Sequence, residues 1–144
     1  MDNELKEILT EVSKRVKNII NEEAYAALDD YTKKRVYDIT MSKVKDKLIS
    51  EKFNEYYNQW RFETCIIASE NERYSNKNFQ AIVAMGKSAL PYIGKKLLEG
   101  EYSIVLACGA IYGYALGKPT YSFKEASERW IKKLKQDGYL TYDN

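Results

Sequence analysis

Histidine is absent from this chain of 144 residues. Its absence removes the commonest general base, the commonest metal ligand and the one side chain that ordinarily titrates near neutral pH. Catalysis would have to run on carboxylates, tyrosines or lysines. Cysteine is nearly as scarce: Cys65 and Cys108 stand alone, with no CxxC spacing. Each sits in an apolar helical context, TCIIA and LACGA, which predicts two buried free thiols in a reducing compartment rather than a disulfide. Long apolar runs are missing as well. The most apolar stretch, Ile104 to Leu116, falls short of the ~20 residues that span a bilayer and is interrupted by Tyr112 and Tyr114. The start, MDNELKEIL, is charged and amphipathic and lacks the apolar segment of a signal peptide. A cytoplasmic protein without a membrane span is the expectation. Neither sign of charge dominates, with 23 Lys and Arg against 21 Asp and Glu for a net charge of +2. That balance argues against a dedicated electrostatic nucleic-acid binder, which carries a basic face or stripe.

The motifs of known chemistries are missing too. Gly117-Lys118 is no phosphate loop, because Tyr112 stands where the first glycine is required and Pro119 where Ser or Thr is required. Glu22-Glu23, Asp29-Asp30 and Glu70/Glu72 are most simply acids that complement helix starts, and no D-x-D-x-D-G calcium loop accompanies them. No catalytic residue, metal site or cofactor is assigned, and a non-enzymatic role is expected.

What the chain does contain is helix grammar. Leu5, Leu9, Val12, Val16 and Ile19 are spaced 4, 3, 4, 3, which predicts a first helix over about 3–20 with one narrow apolar stripe. Such a stripe could pack internally or seal a homodimer. Asn21 can cap a short helix holding Ala24, Ala27, Leu28 and Tyr31, and Asp29-Asp30 can cap the next. That next helix carries Tyr37, Met41, Val44 and Leu48 to about Ile49. Ser50 then begins a fourth, with Phe53, Tyr57, Trp60, Thr64 and Ile67. Off the Tyr37 stripe lie Lys33, Lys34, Arg35, Lys43, Lys45 and Lys47. Interleaved with Asp38 and Asp46, they read first as a solvated face and second as phosphate contacts.

Residues 69–78, SENERYSNKN, have turn composition and no apolar period, which predicts one long loop, either a connector or a functional segment. Then FQAIVAMGKSALPYIGKKLLEG, Phe79 to Gly100, writes two antiparallel helices and their turn. Phe79, Ile82 and Val83 fall on one face, Gly86 supplies a left-handed stop, and Pro91 sits in a first turn. Leu90, Ile93, Leu97 and Leu98 form the second face before Gly100. A helix from Tyr102 to about Tyr114 should end at Gly113 or Gly117. Ser122-Phe-Lys-Glu125 is a capping box that opens a last helix to about Gln136, with Ala126, Trp130 and Leu134 on its apolar face. The fold class is therefore all-α: one helical domain over 1–144, of seven to eight helices in antiparallel hairpins.

Thirteen tyrosines suit half-buried positions and recognition surfaces. In the segment Trp60-Arg61-Phe62-Glu63-Thr64, Arg61 and Glu63 cannot share one helical face, so each needs its own partner. Arg61 is either an architectural tie to a helix end or part of a binding site. The candidate partner-binding residues are Arg61, Glu63, Tyr74, Asn76, Asn78, Gln80 and Tyr102, around the 69–78 segment. The alternative, a nucleic-acid-associated regulator, would use Lys33, Lys34, Arg35, Lys43 and Lys47.

W-R-F-E-T (Trp60 to Thr64), F-Q-A-I-V-A-M-G (Phe79 to Gly86), A-L-P-Y-I (Ala89 to Ile93) and W-I-K-K-L-K-Q-D-G-Y-L (Trp130 to Leu140) occur in that order. Together they resemble a family of small, largely uncharacterised bacterial proteins. In that family a W-x-x-E-T segment precedes a Q-x-I-I-x-M-G-x-x-A-x-P-x-I-L hairpin and a closing W-L-x-W-G-x-x-x-G-Y. The similarity covers about 53–140 and leaves 1–50 as an N-terminal helical extension. Two departures stand out: Asn76-Lys77-Asn78 replaces the usual His-Pro, and Lys133 replaces the second Trp. The resemblance implies an accessory protein of a mobile element or toxin-antitoxin-like system that binds another protein. The 79–100 hairpin is also similar to a single HEAT-type repeat.

Overall fold

A computed structural model describes residues 3–66 and 69–142, with side chains from residue 6 onward. The chain is all-α. Among the described residues there are eight α-helices, two short 3₁₀ turns and no strand. They fall into two compact units, Met1–Lys52 and Phe53–Asn144. No helix among the described residues is long and apolar enough to cross a membrane.

The first unit holds α1 (Asn3–Ile19), α2 (Glu22–Ala26) and the start of α3 (Asp30–Thr64). Its buried positions on α1 are Ile8, Val12 and Val16, spaced by four. The stripe therefore runs through Ile8 rather than Leu9, and Ile19 is exposed; the side chain of Leu5 lies outside the described residues. An i, i+4 row is inclined to the helix axis, so a face read as 4-3-4-3 drifts off the buried line at its end. Asn21 caps α2 as expected, its Oδ1 accepting from the Ala24 N–H at 3.0 Å. Asp29 caps α3, its Oδ1 accepting from the Thr32 N–H at 2.7 Å, and this holds the carboxyl below its ordinary range.

The helix expected to stop near Ile49 does not stop. α3 is one element of 35 residues, and Ser50 lies inside it. No glycine or proline occurs between Asp30 and Thr64, and Phe53 stands where a capping box from Ser50 would need Glu or Gln. The second unit begins at Phe53 and contains the rest of α3 with α4 (Glu70–Ser75), α5 (Lys77–Ala84), α6 (Leu90–Leu98), α7 (Leu106–Tyr112) and α8 (Phe123–Gln136). Phe53, Trp60, Ile82, Leu90, Ile93, Leu97, Ile104 and Leu134 are fully buried there. At roughly 1.5–3 kcal/mol for each buried large apolar side chain, this core is its main source of stability.

The two helices read over 79–100 form, joined by a 3₁₀ turn over Gly86–Ala89. α5 ends at Ala84, Gly86 takes φ +64°, and Pro91 lies in the first turn of α6. Leu98, expected on the buried face, is partly exposed. The helix expected from Tyr102 divides into a 3₁₀ turn, Tyr102–Val105, and α7, which Gly113 ends in the left-handed conformation. α6 packs against α8 and against the Tyr102–Val105 turn, while α5 packs against α7. The capping box at Ser122 is complete in both directions, with Oγ accepting from Glu125 N–H at 3.1 Å and the Glu125 carboxylate accepting from Ser122 N–H at 3.3 Å.

Candidate interaction surface

The segment 69–78 is not a loop. Ser69 caps α4, its Oγ accepting from Glu72 N–H at 3.4 Å, and Asn76 both ends α4 and caps α5. α4 buries no residue of its own. It is held instead by one ring: Tyr74 lies 5.1 Å from Phe79, 6.1 Å from Trp60 and 6.5 Å from Phe123, centroid to centroid. Trp60, fully buried, completes the attachment by donating its indole N–H to the Arg73 carbonyl at 2.8 Å.

Arg61 and Glu63 flank the buried line of Trp60 and Thr64 on opposite sides, as two residues separated by about 200° of helix must. Arg61 donates to Ser103 Oγ at 3.0 Å and lies 3.8 Å from the Glu101 carboxylate. Glu101 also accepts from the Tyr57 hydroxyl at 3.1 Å. Burial, then the neighbouring Glu101 charge, raises the Tyr57 phenol above its ordinary range. On the other flank Glu63 accepts from Gln59 at 2.7 Å, Asn76 at 3.0 Å and Asn78 at 3.3 Å. The hydrogen bonds from Gln59 and Asn76 hold its carboxyl below the usual carboxylate range. Tyr74 donates to the Ser103 carbonyl at 3.0 Å, and Gln80 donates to the Tyr74 carbonyl at 2.8 Å.

Six of the seven partner-site candidates thus form one hydrogen-bonded corner where α3 meets α4, α5 and the Tyr102–Val105 turn. Tyr102 opens that turn and is half-buried. Tyr57, Gln59, Glu101 and Ser103 also belong to this corner, beyond the residues that the sequence marks for it. Gln59 was findable, four residues before Glu63 on one helix. Glu101 and Ser103, about forty residues from Arg61, carried no local signal.

Beside the partly exposed Arg61 and Glu101, this corner also presents apolar side chains. Phe62, 75% exposed, lies in the last turn of α3 away from the buried Trp60 line, and Ile66, 92% exposed, lies in the turn just after the helix. Cys65 between them is exposed, contrary to the expectation of a buried thiol, because it falls where the buried line stops. Its thiol donates to the Phe62 carbonyl at 3.3 Å. Ile67 and Ala68 lie outside the described residues. Cys108 is buried as expected, and burial pushes its thiol up to about 12.

In the first unit the basic residues of α3 do not form one stripe. At about 100° per residue, Lys33, Lys43 and Lys47 share an arc of about 80°, Lys34 and Lys45 lie on a second face and Arg35 on a third. Lys33 lies over the Tyr25 ring at 5.8 Å, and Arg35 over the Tyr31 ring at 6.0 Å while donating to its hydroxyl. Among the described residues no group of three or more acidic or cysteine side chains is placed to hold a metal ion. A comparison of the chain with protein-family models, with curated proteins and with solved structures finds no match.

Proposed function

We propose that this chain is a non-enzymatic helical module that binds another protein through the corner at the end of α3. One observation carries the reading: Phe62 stands exposed beside Arg61 on a helix end that Trp60, Arg61 and Glu63 anchor from behind, and Ile66 stands exposed in the turn that follows it. Large aromatic and aliphatic side chains presented on a rigid support are what dominate binding energy at protein interfaces, and preorganisation lowers the entropic cost of association. The lack of histidine supports a role without acid-base chemistry. The resemblance over 53–140 supports a cytoplasmic accessory role of the mobile-element or toxin-antitoxin-like kind.

Cys65 supplies the test. A photo-crosslinker attached through a maleimide should label exposed Cys65 and spare buried Cys108, and on illumination in the cell extract it should capture one stoichiometric protein. Capture of nothing but copies of the chain itself would refute the heterologous partner. A nucleic-acid-associated regulator remains the alternative, favoured only by the shared arc of Lys33, Lys43 and Lys47. Three such phosphate contacts would give a log-log salt slope of about −2.7.

A further inference from the structure

The second unit contains a cleft of about 360 Å³ between α7, the 113–122 segment and α8. That volume lies within the ~300–1,000 Å³ common for small-molecule sites. Val105, Leu106, Leu116, Phe123 and Trp130 give it apolar walls, and Lys118 is the cation that lines it. Among the described residues no acidic side chain lines it.

The walls are fixed rather than collapsible. Gly117 takes φ +90°, and a Cβ there would collide with the Tyr121 ring, so the turn closes only around a glycine. A Cβ at Gly109 would come within 3.3 Å of the Tyr114 carbonyl. The Tyr121 ring is held by Arg129, whose guanidinium lies 4.6 Å from the ring centre and donates to the hydroxyl at 2.8 Å. Trp130 is braced by Tyr112, at 5.0 Å, and Tyr114, at 6.1 Å. Tyr112 in turn donates to the Asp137 carboxylate at 2.6 Å, which Lys133 approaches to 3.3 Å. A braced apolar cleft with a lysine on its lining and Arg129 beside it suits a guest that is apolar at one end and anionic at the other.

We infer that this cleft binds a small apolar or aromatic carboxylate, its ring or chain against Leu106 and Leu116, over a floor that includes the buried Trp130, and its carboxylate at Lys118. The test uses the full chain with naphthoate and its neutral counterpart naphthamide, followed by nuclear magnetic resonance. Naphthoate should bind saturably, shifting the Trp130 indole N–H signal and leaving that of Trp60, which is engaged by the Arg73 carbonyl. Naphthamide should bind roughly threefold more weakly, the worth of one exposed ion pair. Lys118→Met should weaken naphthoate by the same factor without altering naphthamide, and Ala126→Leu should abolish both by filling the cleft. No saturable shift of Trp130 in the unaltered chain, or equal affinity for the acid and the amide, would overturn the assignment.

Discussion

Ser127 is the residue at which this fold is locally frustrated. Its side chain is fully buried on α8, and its hydroxyl has no hydrogen-bond partner among the described residues. A buried unsatisfied hydroxyl costs about 1–3 kcal/mol, and alanine is also the better helix former. Ser127→Ala should therefore raise the unfolding free energy by about 1 kcal/mol in a urea titration, and a loss of stability would contradict the packing described. Glu63 makes the opposite kind of contribution. Its carboxyl is held below its unfolded value by Gln59 and Asn76, so its stabilisation is present above the ordinary carboxylate range, near pH 4, and is lost as pH falls through the lower folded value. Glu63→Gln removes the charge and sets an amide N–H against the Gln59 donor. The difference in Tm between the native chain and this variant should be largest at neutral pH and shrink below about pH 4. A pH-independent difference would rule out the charge as the cause.

Among the elements, α3 departs furthest from its sequence reading. Val44 and Leu48 lie on one line and Phe53, Tyr57, Trp60 and Thr64 on another, and the five-residue step from Leu48 to Phe53 looks like a break. Ile49, buried four residues before Phe53, bridges it. The two readings differ in what Ser50→Ala does. In a helix interior the change is neutral or mildly stabilising, whereas loss of an N-cap costs about 1 kcal/mol. Thermal melts should show no loss; a drop of that size would restore the two-helix reading. Elements with a local chemical signature were legible: the Asn21 cap, the positive φ at Gly86, the Pro91 helix start, the Gly113 stop and the Ser122 capping box. α4 was not, because its six residues bury nothing and owe their helicity to Tyr74 packing on Trp60 and Phe79. The candidate corner was half legible. The requirement that Arg61 and Glu63 find separate partners follows from helical spacing, but Ser103 and Glu101 are brought there only by tertiary structure. Exposure of Phe62 could be read from its place off the Trp60 line, whereas that of Cys65 depended on where the line stops.

At the scale of the whole molecule, a net charge of +2 gives little long-range steering toward polyanions, so recognition rests on local surface chemistry. Under the proposed protein-binding role, the exposed Phe62 and Ile66 supply that local chemistry. The most direct measurement is copurification of the tagged chain from its native cell, compared with a Phe62→Ser/Ile66→Ser variant of matched Tm. Mass spectrometry would identify what binds and light scattering its stoichiometry. One stoichiometric protein should accompany the native chain, and the variant should bind it at least about thirtyfold more weakly, as expected when an interface anchor worth 2 kcal/mol is removed. Recovery of that partner at undiminished affinity by the variant, or of nucleic acid alone by the native chain, would contradict the proposed role of this corner.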